Sequence, residues 1–183
     1  MKDSAIDHVA SLCEEQEQRF LDLIQQHRQI IYKVCFMYAN NDEAISDLYQ
    51  EAVLNLWTAF PRFRGESKTS TWVYRICVNT CITNLRQTKR RPDTIPLTTS
   101  MNELFPDTVE KEQLHELYTL INRLGELERA LIMLWLDERS YEEIAEILDI
   151  SVSNVGVRIN RIKTKLKVMS NNWNQKQQWI YKN

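Results

Sequence analysis

The chain reads as all-α, with two small helical domains joined by a flexible linker and a helix-turn-helix in the second. Three observations predict this. Only 3 Gly and 4 Pro occur in 183 residues, too few for the tight turns that a strand-rich fold needs. Apolar residues recur at three and four along most of the chain, the period of a helix with one buried face. Three of the prolines, Pro92, Pro96 and Pro106, fall in one stretch where that period stops. Apolar content of 43% with 26% charge excludes wholesale disorder.

Residues 1–18 are polar and acidic and are expected as a loose arm. The first domain spans 19–91. From Arg19 to Tyr38, Phe20, Leu23, Ile24, Ile30, Ile31, Val34, Cys35 and Tyr38 define one helical face. "NND" (40–42) offers cap residues for a second helix. Ile45, Leu48, Ala52, Leu56 and Phe60 stripe that helix, and Pro61 closes it. "RFRGESKTS" is a polar loop, after which Thr69 or Ser70 is placed to cap a third helix running to Arg91. Residues 92–108 are the linker.

The second domain spans 109–170. Helical period returns over Val109 to Leu124 and Glu126 to Leu136. "SYEE" (140–143) has the form of a capping box. A short helix, the turn "DIS" and a longer helix beginning at 152 follow. The tail 171–183 is rich in Asn and Gln and stays open between continued helix, a fold-back of its tryptophans on that helix, and disorder.

Several function classes find no support. Cys13, Cys35, Cys77 and Cys81 form no CxxC pair and have no His at ligand spacing, so they are expected as reduced core thiols rather than a metal site. His8, His27 and His115 join no Ser-His or Cys-His arrangement, and no phosphate-binding Gly loop occurs. We expect no catalytic centre, no cofactor and no metal. The first residues lack an apolar signal core, and no apolar run is long enough to span a bilayer. A cytoplasmic location without membrane insertion is expected.

Three segments are candidates for chemistry. In "STWVYRICVNTCITNLRQTKRR" (70–91), at about 100° per residue, Trp72, Arg75, Asn79, Thr83, Arg86 and Arg90 share a sector about 80° wide, opposite Val73, Cys77, Thr80 and Cys81. Cations neutralise phosphates, amides read base edges and aromatic rings stack on unpaired bases; a solvated basic face is the competing reading. In 140–167, Val155, Ile159, Ile162 and Leu166 form a buried seam, while Asn154, Arg158, Arg161 and Lys165 repeat that spacing on another face. With a short helix and turn before it, this is the pattern of a helix-turn-helix; a charged helical hairpin is the alternative. In "DLYQEAVLNLW" (47–57), Asp47, Gln50, Glu51 and Asn55 share one side. That face disfavours DNA and suits a partner rich in arginine; on spacing alone, a plain solvated face competes. The net charge of −2 hides this division, with cations concentrated in 86–91 and 158–167.

These segments resemble a known family. "DLYQEAVLNLWTAFPRFRGESKTSTWVYRICVNTCITNLRQTKRR" is similar to region 2 of the extracytoplasmic-function sigma factors, small alternative specificity subunits of bacterial RNA polymerase. "LGELERALIMLWLDERSYEEIAEILDISVSNVGVRINRIKTKLK" resembles their region 4. The resemblance covers about 19–169 and keeps the order of the domains. It implies that Asp47, Gln50 and Glu51 bind the clamp helices of the polymerase largest subunit, with the flap of the second-largest subunit a further contact. It implies that Arg64, Lys68, Ser70, Trp72, Tyr74, Arg75, Asn79 and Asn84 meet the −10 element as single-stranded DNA. Arg86 and Arg90 would serve the adjoining duplex backbone. It places Ser153, Asn154, Arg158, Arg161, Lys163 and Lys165 on the −35 duplex, and it makes an anti-sigma factor an expected partner. The sequence departs from the family pattern at Gly125, where Pro is usual, at Gly156, commonly basic, and at Val157, commonly Ser.

Overall fold

A computed structural model describes residues 2–39, 41–88 and 117–180. The linker 92–108, Arg90, residues 109–116 and 181–183 lie outside the described residues, as does the side chain of Cys13.

Helix α1 runs from Lys2 to Tyr38. It starts well before Arg19: "KDSAIDHVASLCEEQEQ" contains neither Gly nor Pro, and its Glu and Gln are good helix formers, so nothing breaks the helix where a loose arm is expected. Helix α2 spans Asp42–Ala59. The Asn41 side chain accepts from the Ala44 amide at 2.7 Å, and Asp42 and Glu43 complement the positive helix end. Pro61 lies in a 3-10 turn, Phe60–Arg62. Gly65 has φ of +73°, a left-handed turn residue that lets the loop reverse. Helix α3, Thr69–Thr88, begins with the Lys68 carbonyl accepting from Trp72 N–H at 3.1 Å. Thr69 and Ser70 therefore sit inside the first turn rather than capping it. The three helices bury Ile31, Val34 and Cys35 with Ile45, Ala52 and Leu56, and with Val73, Cys77 and Cys81.

The second domain comprises α4 (helical over 117–121), α5 (Glu126–Leu136), α6 (Tyr141–Leu148) and α7 (Val152–Ile180). At the start of α5, Glu128 reaches back to accept from the Gly125 amide at 3.0 Å. Proline at 125 would have no N–H to give, which supplies a local use for that departure. The capping box at α6 is complete. Ser140 Oγ accepts from the Glu143 amide at 3.2 Å, and Glu143 accepts from the Ser140 amide at 3.1 Å. Asp149 closes α6 in the left-handed conformation. Ile144 and Ile147 of α6 pack with Val155, Ile159 and Ile162 of α7. Helix α7 continues to Ile180, which settles most of the tail as helix; no Gly or Pro interrupts it after Gly156.

The two domains pack against each other, α3 lying on α5 and α6, and one contiguous buried cluster crosses the seam. Arg129 donates to the Met37 carbonyl at 3.0 Å and the Asn122 carbonyl at 2.7 Å. It thereby brings a cation to the C-terminal end of α1, whose own last turn has none. Tyr38 donates to the Glu126 carbonyl at 2.9 Å. Asp137 accepts from both Lys33 and Tyr74.

Candidate nucleic-acid interfaces

The first candidate surface is built where the 61–67 loop meets the start of α3. The Trp72 ring stacks on Phe63, with centroids 4.6 Å apart and planes at 30°. A cleft of about 560 Å³ beside this stack is lined by Arg62, Arg64, Glu66, Ser67, Arg75 and, from the second domain, Glu146. Arg64, Arg75, Asn79 and Arg86 are exposed, and Ser70 is half-buried. Core-facing Val73, Cys77, Thr80 and Cys81 are buried on the other side. Burial pushes the Cys77 thiol up, and the hydrogen bond with Cys35 together with burial does the same at Cys81. These two thiols stay protonated and inert. An aromatic pair flanked by guanidinium groups and an amide can stack a base and hold its phosphates.

Two residues carried over by the family motif stand elsewhere. Tyr74 is 1% exposed, and its hydroxyl donates to Asp137 at 2.6 Å. Burial, reinforced by that carboxylate, raises its pKa well above the ordinary phenol value. Asn84 donates to Glu51 at 2.9 Å and straps α3 to α2. Two others are engaged across the domain seam. Lys68 reaches Glu143 at 2.8 Å, and Arg86 reaches Glu126 at 2.8 Å. The Lys68 hydrogen bond holds the Glu143 carboxyl below its usual value.

On α2, Asp47 and Gln50 are exposed, while Glu51 is half-buried by its bond to Asn84. Leu54, 64% exposed, continues the same side four residues after Gln50. Sequence reasoning passed over it, although its spacing was the available signal.

On the helix-turn-helix, Ser153 and Arg161 are exposed. Asn154 accepts from Arg158 Nε at 3.0 Å, which prearranges the guanidinium along the helix. Lys163 and Lys165 turn toward α5. Lys163 Nζ sits 3.7 Å from the Trp135 ring centroid, and Lys165 pairs with Glu128 at 2.7 Å. That hydrogen bond holds the Glu128 carboxyl low. At Gly156, a Cβ would lie 3.3 Å from the Tyr141 ring. The glycine therefore accommodates Tyr141 of α6, a neighbour inside the same chain. Phe63, Tyr141 and Glu146 were missed by sequence reasoning. Each lies beside a candidate residue only through tertiary packing.

A helical domain bearing an aromatic cleft lined by arginines, joined to a helix-turn-helix domain, is the architecture of a DNA-binding transcription factor. Residues 23–91 match the sigma-70 region 2 family, and residues 114–166 match sigma-70 region 4. The ECF RNA polymerase sigma factor SigW of Bacillus subtilis (strain 168) is 29% identical over 164 residues, covering 81% of this chain and 87% of the relative. The ECF RNA polymerase sigma-E factor of Haemophilus influenzae is 30% identical over 159 residues, covering 79% and 84%. The chain belongs to the ECF sigma factors of RNA polymerase, a family of transcription-initiation factors. Among solved structures, the sigma factor RpoE in complex with the anti-sigma factor NepR from Bartonella quintana superposes with a TM-score of 0.68. Identity there is 18%, and the match covers 86% of this chain and 98% of that one. CnrH in complex with the cytosolic domain of CnrY gives a TM-score of 0.63 at 20% identity, covering 85% and 90%. Among the described residues, no helix is long and apolar enough to cross a membrane.

Proposed function

We propose that this chain binds core polymerase in the cytoplasm, recognises the −10 and −35 elements and promotes melting of the promoter. In this reading Asp47, Gln50 and Glu51 engage the clamp helices of the largest subunit. The Trp72–Phe63 stack with Arg64, Arg75 and Asn79 takes the opened −10 strand. Ser153, Asn154, Arg158 and Arg161 face the −35 duplex, with Lys163 and Lys165 flanking it. Contact with the flap of the second-largest subunit and control by an anti-sigma factor belong to the same reading. The solved neighbours bound to NepR and to CnrY support the latter.

The observation that carries the reading is the Trp72–Phe63 stack beside Arg62, Arg64 and Arg75. An ordinary solvated basic face has no reason to stack two rings beside a cleft that three arginines line, whereas unpaired bases are recognised by such platforms. The test is a titration of core polymerase, without DNA, against the parent chain and Asp47→Lys. Asp47 is preferred to Glu51 because Glu51 also holds Asn84. The reading expects the parent to bind and the charge reversal to weaken binding at least several-fold with helicity unchanged. Equal affinities would remove the α2 face from the account.

A further inference from the structure

A larger cavity, of about 840 Å³, lies where α1, α2 and α3 meet the end of α5. Among the described residues its charged lining is Arg28, Lys33, Arg139 and Asp137, three cations against one carboxylate. Asp137 has both oxygens committed: one accepts from Lys33 and the other from Tyr74. The two arginines are not satisfied from within. Arg28 is exposed and pairs with no carboxylate among the described residues. Arg139 lies over the Tyr74 ring, 5.0 Å from its centroid, and its Nε is buried with no hydrogen-bond acceptor among the described residues. A buried donor without an acceptor is costly and rare in folded proteins. The cavity thus offers donors and positive charge, and whatever completes it has to bring acceptors and negative charge.

The remaining wall is largely aromatic. Tyr32, Tyr49 and Tyr118 line the cavity beside Tyr74. Tyr49 and Tyr118 are half-buried, and burial keeps both phenols protonated. Such rings cover a flat apolar group and hydrogen-bond through their hydroxyls. The volume falls in the range of small-molecule sites, roughly 300–1,000 Å³, and a lone inorganic anion leaves most of it unfilled. We propose that this cavity binds a nucleoside diphosphate, with the phosphates on Arg28 and Arg139 and the base among the tyrosines. Planar guanidinium groups match phosphate oxygens in pairs, and the tyrosine rings supply the contact area that inorganic phosphate cannot use. The site is separate from the cleft beside Trp72 and does not depend on the promoter reading.

The test is equilibrium dialysis of the full chain, without polymerase or DNA, in magnesium-free buffer. Radiolabelled ADP, GDP, CDP, UDP and inorganic pyrophosphate are each measured. At least one nucleotide is expected to bind one per chain and about tenfold or more tightly than pyrophosphate. Arg28→Gln removes an exposed charge without touching the core and should weaken that nucleotide roughly three- to tenfold. Arg139→Gln should weaken it by about tenfold or more, because this guanidinium is the more buried of the two. Should Arg139→Gln lose helical circular dichroism, Arg28→Gln decides. Arg64→Gln, in the cleft beside Trp72, should match the parent. No nucleotide retained at up to about 1 mM, retention unchanged in Arg28→Gln, or retention lost in Arg64→Gln overturns the site. Pyrophosphate held as tightly as every nucleotide overturns the nucleoside diphosphate assignment.

Discussion

Tyr74 donates its hydroxyl to the Asp137 carboxylate at 2.6 Å, tying α3 of the first domain to the end of α5 in the second. Lys33 of α1 holds the other oxygen of the same carboxylate. Three helices therefore meet at one partly buried charge.

Tyr74→Phe keeps the buried ring and removes only the donor. A hydrogen bond to a charged group contributes about 1.5–3 kcal/mol, and Lys33 remains to pair Asp137. The variant should lose stability within that range in urea unfolding at neutral pH, with its helical circular dichroism unchanged. A loss below about 0.5 kcal/mol would mean that the bond does not hold the seam.

Acidification should loosen the same seam. His27 of α1 is buried, and burial, then the Arg139 guanidinium from the second domain, holds its pKa below 6.5. The folded chain thus favours the neutral ring, and the unfolded chain takes up a proton first as pH falls. Stability should drop as pH goes from about 6.5 toward the lower folded value and level off beneath it. Glu128 and Glu143 are also held low, but their contribution is lost only in more acidic solution, as pH falls through their depressed values. His27→Gln should flatten the urea midpoint between about pH 7.5 and about pH 5. An unaltered slope in that variant would assign the pH response to other groups.

Asn79 is exposed on the sector that carries Trp72. Asn79→Ala should reduce open-complex formation on duplex promoters, with a smaller effect on core binding. Permanganate footprints as intense as those of the parent would remove Asn79 from melting.

On α7 the structure sharpens a division of labour. Arg158 is oriented by Asn154, whereas Lys165 is held by Glu128. Arg158→Ala should relax preference at one −35 position, at a cost of about 1–3 kcal/mol. Lys165→Ala should weaken all sequences alike and reduce the salt slope by about one. Glu128→Gln, which frees Lys165, should strengthen binding without changing sequence preference. Selection from promoters randomised at −35 distinguishes these outcomes. An altered preference in Lys165→Ala with none in Arg158→Ala would reverse the assignment.

Much of the fold was legible because helical period is a local signal. The stripes on α2 and α3, the cap at Asn41 and the capping box at Ser140 all stand where the spacing predicts them. Period also separated the faces of α3 better than motif matching did. Tyr74 and Asn84 lie outside the Trp72 sector, and only the family pattern points to them; the structure places Tyr74 in the seam and bonds Asn84 to Glu51 of α2. The inter-domain contacts were not legible. Lys33 and Asp137 are 104 residues apart, and no local pattern links an acid on α6 to a cation at the start of α3. The long start of α1 was missed, and the end of α7 was left open, because their polar composition suggested disorder, while the absence of helix breakers was the better guide.

The most direct test of the account is start-site mapping on genomic DNA, transcribed by core polymerase with and without this protein. The account predicts a discrete set of start sites that appear only with the protein and share two upstream elements at −10 and −35 spacing. Transcripts identical to those of core alone, or new starts with no common upstream sequence, would contradict it.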